Sequence, residues 1–401
     1  MTARGVVIAG MGCVCSCGRT APEALEGAVA GQARFVLPQA RVRSTYTQRY
    51  PVFEVAEDIV AACPAGQSLS QHFFITASKE AFFQAQITPE QLSGYRVGVI
   101  VGTSVDASFH CFNLYHHWKK HILTPLDVTE FETYLSSAAT AKSISRYFGF
   151  TGPFQTIVTA CASGTDAVGL GKSWIENDVC DVVLCGGADE INLVPYDGFI
   201  RLLVASPEKC RPFSSDRNGI NIGEGAGALL LVSPRVQREF SVSPKGFVLG
   251  YGNACDAFHP TAPDPQAKGL QKAISFALSQ AGLTAQELAF VNAHGTASPA
   301  NDAAESVAFR ALLSGVPVWG SKGVTGHTLG AAGAVEAVLS LQVLNRRILP
   351  PTTGFRQFDN TIGFSPTLKT TPLQKKVALS DSLAFGGCNA AIVLGAEDFY
   401  A

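Results

Sequence analysis

The segment Thr159-Ala160-Cys161-Ala162-Ser163-Gly164 follows an apolar strand, Gln155 to Val158, and opens a helical pattern running through Ala167, Val168, Leu170 and Trp174. A cysteine at such a junction faces the positive end of a helix and its unpaired N–H groups. Both lower the pKa of a thiol and make it a nucleophile at neutral pH. Taken alone, the same residue reads equally well as a small buried side chain. Of eight histidines, two sit in Gly-flanked turns: His294 in Asn292-Ala293-His294-Gly295-Thr296, and His327 in Lys322-Gly323-Val324-Thr325-Gly326-His327. Flanking glycines let the backbone approach a substrate and hold an imidazole at an angle that a routine core histidine does not need. Either histidine alone is as readily a structural residue; their company with Cys161 and Lys322 argues for one pocket. Leu383-Ala384-Phe385-Gly386-Gly387-Cys388-Asn389 is a Gly-rich turn whose exposed N–H groups can face a developing oxyanion, with Phe385 covering a narrow pocket.

Elements able to position these residues are visible around them. Short apolar runs, among them Gly5 to Met11, Arg96 to Val101, Val179 to Gly186 and Gly225 to Val232, alternate with helical patterns such as Gly164 to Asn177 and Ala331 to Arg347. Continuous apolar strands are buried on both faces, so the layout is α/β with helices flanking two sheet layers. The polar stretch Pro234 to Lys245 reads as a join between two halves, residues 1–240 with the cysteine and 241–401 with the histidines, and no close internal sequence repeat accompanies them. With 401 residues, 47% apolar and only 15% charged, the chain can bury a large core. Its 30 basic and 32 acidic side chains give a net charge of -2, so nothing global draws it to nucleic acid or to an anionic membrane. Eleven scattered cysteines without a CxxC pair fit a reduced, cytoplasmic setting. The run Gly5 to Gly18 superficially resembles a signal peptide, but its glycines and β-branched residues read as a first strand and turn. Long uncharged stretches are broken by Pro, Gly, Gln and Ser, so no membrane span is expected.

Joined by Cys210-Arg211-Pro212-Phe213, Asp216-Arg217, Gly223-Glu224-Gly225-Ala226-Gly227 and Leu329-Gly330-Ala331-Ala332-Gly333-Ala334, these motifs make the chain resemble the elongating beta-ketoacyl-[acyl carrier protein] synthases of type II fatty acid and polyketide synthesis. The resemblance runs over essentially the whole length. It implies a thiolase-like fold, two similar halves in a five-layered αβαβα core, and a homodimer or a heterodimer with a related subunit. It further implies that Cys161 takes the acyl chain from a carrier's phosphopantetheine and that the N–H groups of Cys161 and Phe385 form an oxyanion hole. His294 and His327 would bind the thioester carbonyl of malonyl-carrier. Lys322 would orient this network through Glu336, Thr296 and Ser298 would grip the pantetheine arm, and Val105 would lie at the floor of the acyl pocket. No metal or redox cofactor is implied.

Relatives commonly read Asn-Ser-Phe-Gly-Phe-Gly-Gly-Thr-Asn where this chain has Asp381-Ser382-Leu383-Ala384-Phe385-Gly386-Gly387-Cys388-Asn389, and an alanine at 384 restricts the backbone beside the gate. Cys13, Cys15 and Cys17 alternate along an extended segment without zinc spacing and read as packing. His116, His117 and His121 read as a solvated helix face, and Lys119, Lys120 and Arg201 as candidates for a landing site of an acidic carrier. Two other readings compete. A non-catalytic chain-length subunit would typically lack Cys161, and a coenzyme A-dependent thiolase would need a second catalytic cysteine near the C-terminus, for which Cys388 is the candidate.

Overall fold

The computed structural model describes residues 5–38, 42, 44–65, 67–105, 116–122, 124 and 139–401. Strand β1 (Val6–Cys15) is followed by a small ribbon of β2 (Phe35–Val36) and β3 (Val52–Phe53), then by β4 (Val97–Gly102), β5 (Phe154–Ile157), β6 (Val182–Asp189) and β7 (Gly225–Val232). Further along come β8 (Gly246–Cys255), β9 (Leu288–Ala293), β10 (Val318–Gly320), the short pair β11 (Ile348–Leu349) and β12 (Thr371–Pro372), β13 (Val377–Leu383) and β14 (Cys388–Gly395). Ten strands hydrogen-bond in the order β10-β9-β13-β14-β8-β1-β7-β6-β4-β5.

That order contains one pattern twice. β4 runs parallel to β5 and β6, while β7 runs antiparallel to β6 and β1. In the same way β9 runs parallel to β10 and β13, while β14 runs antiparallel to β13 and β8. A short antiparallel contact, Val6–Ile8 against Gly246–Val248, joins the two sets. The repeat is invisible in the letters because burial and pairing constrain residue class, not identity.

Helix Leu69–Ala85 packs on β1 and β7, and helix Lys268–Ala281 on β8 and β14, whereas helices Ser163–Glu176 and Ala332–Arg346 lie between the two sets of strands and touch both. The layers thus run helix, sheet, helix, sheet, helix, the α/β architecture expected of the thiolase-like fold. Side-chain patterns follow position. Ala332–Leu344 is buried at every residue, while Lys268–Ala281 buries one stripe of Leu270, Ala273, Ile274, Ala277 and Leu278. No described helix is long and apolar enough to cross a membrane.

The two central helices cross where side chains are missing. A Cβ on Gly164 would stand 2.8 Å from the Ala334 nitrogen, and one on Gly333 only 1.9 Å from Thr165 Oγ1 and 2.8 Å from the Thr165 nitrogen. This close approach brings the N-terminal ends of both helices together, and with them the turns that carry Cys161 and His327. Gly333→Ala is expected to cost about 1–3 kcal/mol by overpacking, read as a lower thermal unfolding midpoint; an unchanged midpoint would show that the crossing has slack.

Candidate active site

Ala160, just before Cys161, has φ 50°, a left-handed conformation that costs energy for a residue with a side chain. The corner is pinned from several directions. Ser163 Oγ accepts from the Thr159 amide at 2.9 Å and donates to the Ala160 carbonyl at 2.6 Å, and the Thr159 hydroxyl donates to Asp166 at 2.6 Å. Cys161 therefore occupies a single turn, Ala160–Ala162, ahead of helix Ser163–Glu176, and lines a cavity of about 310 Å³.

His294 follows β9 directly, and His327 follows the one-turn helix Lys322–Thr325. The His327 amide donates to the Asn221 carbonyl at 2.8 Å and its carbonyl accepts from Gly223 at 2.9 Å, which fixes the turn. Cys161 Sγ and one ring nitrogen from each histidine lie within 4.8 Å of one another, and the imidazoles meet edge to face with centroids 5.0 Å apart. Lys322 Nζ stands 3.1 Å from His294 Nδ1 and forms an ion pair with Glu336 in the interior. A lysine ammonium can only donate, so His294 accepts at Nδ1 and carries its proton on Nε2.

Burial dominates the electrostatics. It pushes the Cys161 thiol up to about 12, with the Lys322 charge pulling the other way. Cys161 stands just ahead of helix Ser163–Glu176, and burial opposes the acidification expected from the helix terminus. Burial, followed by the Lys322 charge, pulls both histidines well below the ordinary imidazole range, so both are neutral at pH 7. Glu336 is pushed up to about 7 by burial against the opposing charge of Lys322. The three donor atoms are also spaced for a thiolate–imidazole metal ion, but the buried thiol resists ionisation and Lys322 sets a cation beside His294, which disfavours that use. The arrangement suits a nucleophile facing two neutral N–H donors.

Thr296, Ser298 and Phe385 line the same cavity as Cys161, His294 and His327. Glu336, expected as the partner of Lys322, and Val105, expected at the pocket floor, are not among the cavity's lining residues. Glu336 is buried behind Lys322, because the ion pair holds its carboxylate away from the cavity. Val105 donates its amide to Asp189 at 3.2 Å and packs against the buried cluster that includes Phe199 and Leu329. At the gate, Ala384 adopts extended backbone (φ -133°, ψ 154°), which costs an alanine nothing, and the turn's unusual angles fall on Gly386 and Gly387. Phe385 stacks on Phe199 with ring centroids 5.6 Å apart and planes at 20°. The helix turn at His116 is exposed, and His121 leaves it at φ 54°, which takes the i,i+4 pair off a common helix face; Lys119, Lys120 and Arg201 are exposed as well.

Sequence reasoning missed Phe199, Asn301 and Asp189. Phe199 and Asn301 line the cavity from helices whose patterns drew no attention. Asp189, at the end of β6, accepts from the Thr103 hydroxyl and from the amides of Ser104, Val105 and Gly330, tying the loop after β4 to the turn that follows His327. Its donors are distant in sequence, so no local pattern marks it.

One departure noted above has a physical cost. Asp381, wholly buried against the His294 amide and the Glu305 carboxyl, is pushed up to about 8 by burial and next by Glu336, with Lys322 opposing. The folded protein therefore holds this proton between about pH 4, where an unfolded aspartate loses it, and pH 8. Stability falls as pH rises through that window and levels off above it. Asp381→Asn is expected to stabilise the folded protein more at pH 8 than at pH 5, read as a larger rise in the unfolding midpoint at the higher pH; equal gains at both pH values would contradict the assignment.

The pattern described as "Beta-ketoacyl synthase, N-terminal domain" matches residues 3–236, and that described as "Beta-ketoacyl synthase, C-terminal domain" matches residues 245–356. The chain belongs to the beta-ketoacyl synthase family. Among its relatives is the 3-oxoacyl-[acyl-carrier-protein] synthase 2 of Synechocystis sp., 31% identical over 338 residues that cover 79% of each chain. The 3-oxoacyl-[acyl-carrier-protein] synthase 2 of Vibrio cholerae is 27% identical over 416 residues, covering 98% of this chain and 99% of the relative. Among solved structures, the ishigamide ketosynthase/chain length factor superposes with a TM-score of 0.90 at 28% identity, covering 98% of this chain and 99% of the other.

Proposed function

We propose that the protein catalyses the decarboxylative Claisen condensation of an acyl chain, held as a thioester on Cys161, with malonyl-acyl carrier protein, giving a 3-oxoacyl-acyl carrier protein two carbons longer. The observation that carries this reading is the convergence of Cys161 Sγ with ring nitrogens of His294 and His327 within 4.8 Å at one cavity. In the first half-reaction the Cys161 sulfur attacks the thioester carbonyl of the acyl-carrier, and the N–H groups of Cys161 and Phe385 take the oxyanion. The carrier thiol departs with the proton that Cys161 gives up. In the second, the malonyl thioester carbonyl accepts hydrogen bonds from His294 Nε2–H and from His327. Loss of CO₂ leaves an enolate that attacks the acyl carbon, and Cys161 is released as a thiol with uptake of one proton.

Neutral N–H donors bind a carbonyl weakly and an enolate oxygen strongly, so they favour the transition state over the ground state. Lys322 acts as a positioning residue, fixing the His294 tautomer, and Glu336 holds Lys322. Thr296 and Ser298 suit the pantetheine arm, whose amides need polar partners in a narrow channel. In this reading residues 1–240 supply the nucleophile and residues 241–401 the donors. The acidic carrier docks near Lys119, Lys120 and Arg201, and the protein works in the cytoplasm as a homodimer or beside a related subunit. The intact Cys161 and both histidines weigh against a purely chain-length-setting role. Cys388, at the start of β14, is not among the cavity's lining residues, which weighs against a thiolase. The reading is tested by supplying an acyl-carrier and malonyl-carrier to the purified protein. A carrier bearing the lengthened 3-oxoacyl group and release of CO₂ are expected, and a folded protein that yields neither with carriers of several chain lengths would overturn it.

A further inference from the structure

Cys13 and Cys15 lie on β1, and Cys17 lies just beyond its end. β1 ends at Cys15 and the chain reverses at once, Cys15 and Gly18 exchanging backbone hydrogen bonds of 2.9 and 3.3 Å around Ser16 and Cys17. The reversal folds Cys17 back onto Cys15, with Sγ atoms 3.4 Å apart, closer than the 4.0 Å between Cys13 and Cys15. Cys15 and Cys17, but not Cys13, line a second cavity of about 540 Å³ that shares no lining residue with the Cys161 cavity. Every cysteine among the described residues is free.

We propose that Cys15 and Cys17 form a dithiol that low-molecular-weight disulfides convert to an intrachain disulfide, a modification site separate from Cys161. Hydrogen bonds from the sulfurs of Cys13 and Cys17 draw the Cys15 thiol well below the usual range, whereas Cys17 is pushed up chiefly by its bond to Cys15. Cys15, whose sulfur touches those of both Cys13 and Cys17, is assigned as the attacking sulfur. Its thiolate displaces one half of the external disulfide, which leaves as a thiol with the proton Cys15 has lost. Cys17 then loses its own proton, attacks Cys15 Sγ and expels the second half as a thiol. Two thiols are oxidised and one external disulfide is reduced. The sulfurs have only to close from 3.4 Å to about 2.05 Å. The Ser16 hydroxyl, between the two cysteines, donates to the Val324 carbonyl at 2.7 Å, so the modified loop abuts the one-turn helix that begins with Lys322.

The test is to incubate the full chain with oxidised glutathione, unfold it in excess alkylating agent and map its peptides by mass. The peptide holding Cys15 and Cys17 is expected to lose about 2 Da, to carry no alkyl group on either residue, and to revert with dithiothreitol. Glutathione left on either cysteine, a bridge to Cys13, or free thiols at both positions after a reference dithiol peptide in the same tube has oxidised would each overturn the proposal. In Cys17→Ser, Cys15 is expected to retain a glutathione adduct because its resolving sulfur is gone. If that variant instead resolved the adduct through Cys13, the assigned pairing would be wrong.

Discussion

Cys161→Ala is expected to give a folded protein that takes no acyl group from an acyl-carrier and forms no 3-oxoacyl product, a loss of about 10³-fold or more, the scale of removing a nucleophile. Folding should survive because the corner around residue 161 is held by Thr159, Ser163 and Asp166, not by the sulfur. Intact-protein mass spectrometry reads the first half-reaction directly: the wild type gains the mass of the acyl group and the variant does not. An adduct that persists in Cys161→Ala would place the nucleophile elsewhere among the cysteines and falsify the assignment. The raised thiol pKa sharpens the expectation. With little thiolate present at neutral pH, acyl transfer depends on proton removal as the carrier's thioester arrives, so Cys161 should react faster with its carrier substrate than its alkylation by a small neutral reagent would suggest.

The second large effect is expected from His327→Ala: condensation falls about 10²–10³-fold, the usual cost of losing one donor to a developing oxyanion, while acyl transfer to Cys161 changes by less than about tenfold. His327 is a cleaner choice than His294. Its backbone bonds to Asn221 and Gly223 do not need the ring, whereas losing the His294 imidazole would leave the buried Lys322 ammonium without its 3.1 Å partner. Single-turnover measurements of the two half-reactions decide the matter. Equal loss of both would mean that His327 serves the nucleophile and not the malonyl carbonyl.

Much of this site can be read in the letters, for a physical reason. Cys161, His294, His327 and Phe385 each sit at the end of an apolar strand or in a Gly-rich turn, where the backbone itself sets the side chain's direction, and such junctions leave a local signature. Glu336 left a weaker one: its place nine residues beyond His327 suggested a link to Lys322, but not that the pair would be sealed away from the cavity. Phe199 and Asp189 left none. Their partners come from segments far away in the chain, and a stacking contact or a shared acceptor formed only on folding has no local spacing.

The order of residue types along the chain by itself determined the α/β class and singled out Cys161, His294, His327 and Phe385 as candidates, because alternating buried strands and Gly-rich corners impose short-range rules on composition. Only the tertiary structure decided the protonation of those groups and the company they keep. Desolvation and Lys322 shift the thiol up and the imidazoles down, and both act only once the chain is packed around them. Burial is a property of the whole packed interior, so no stretch of sequence carries it alone.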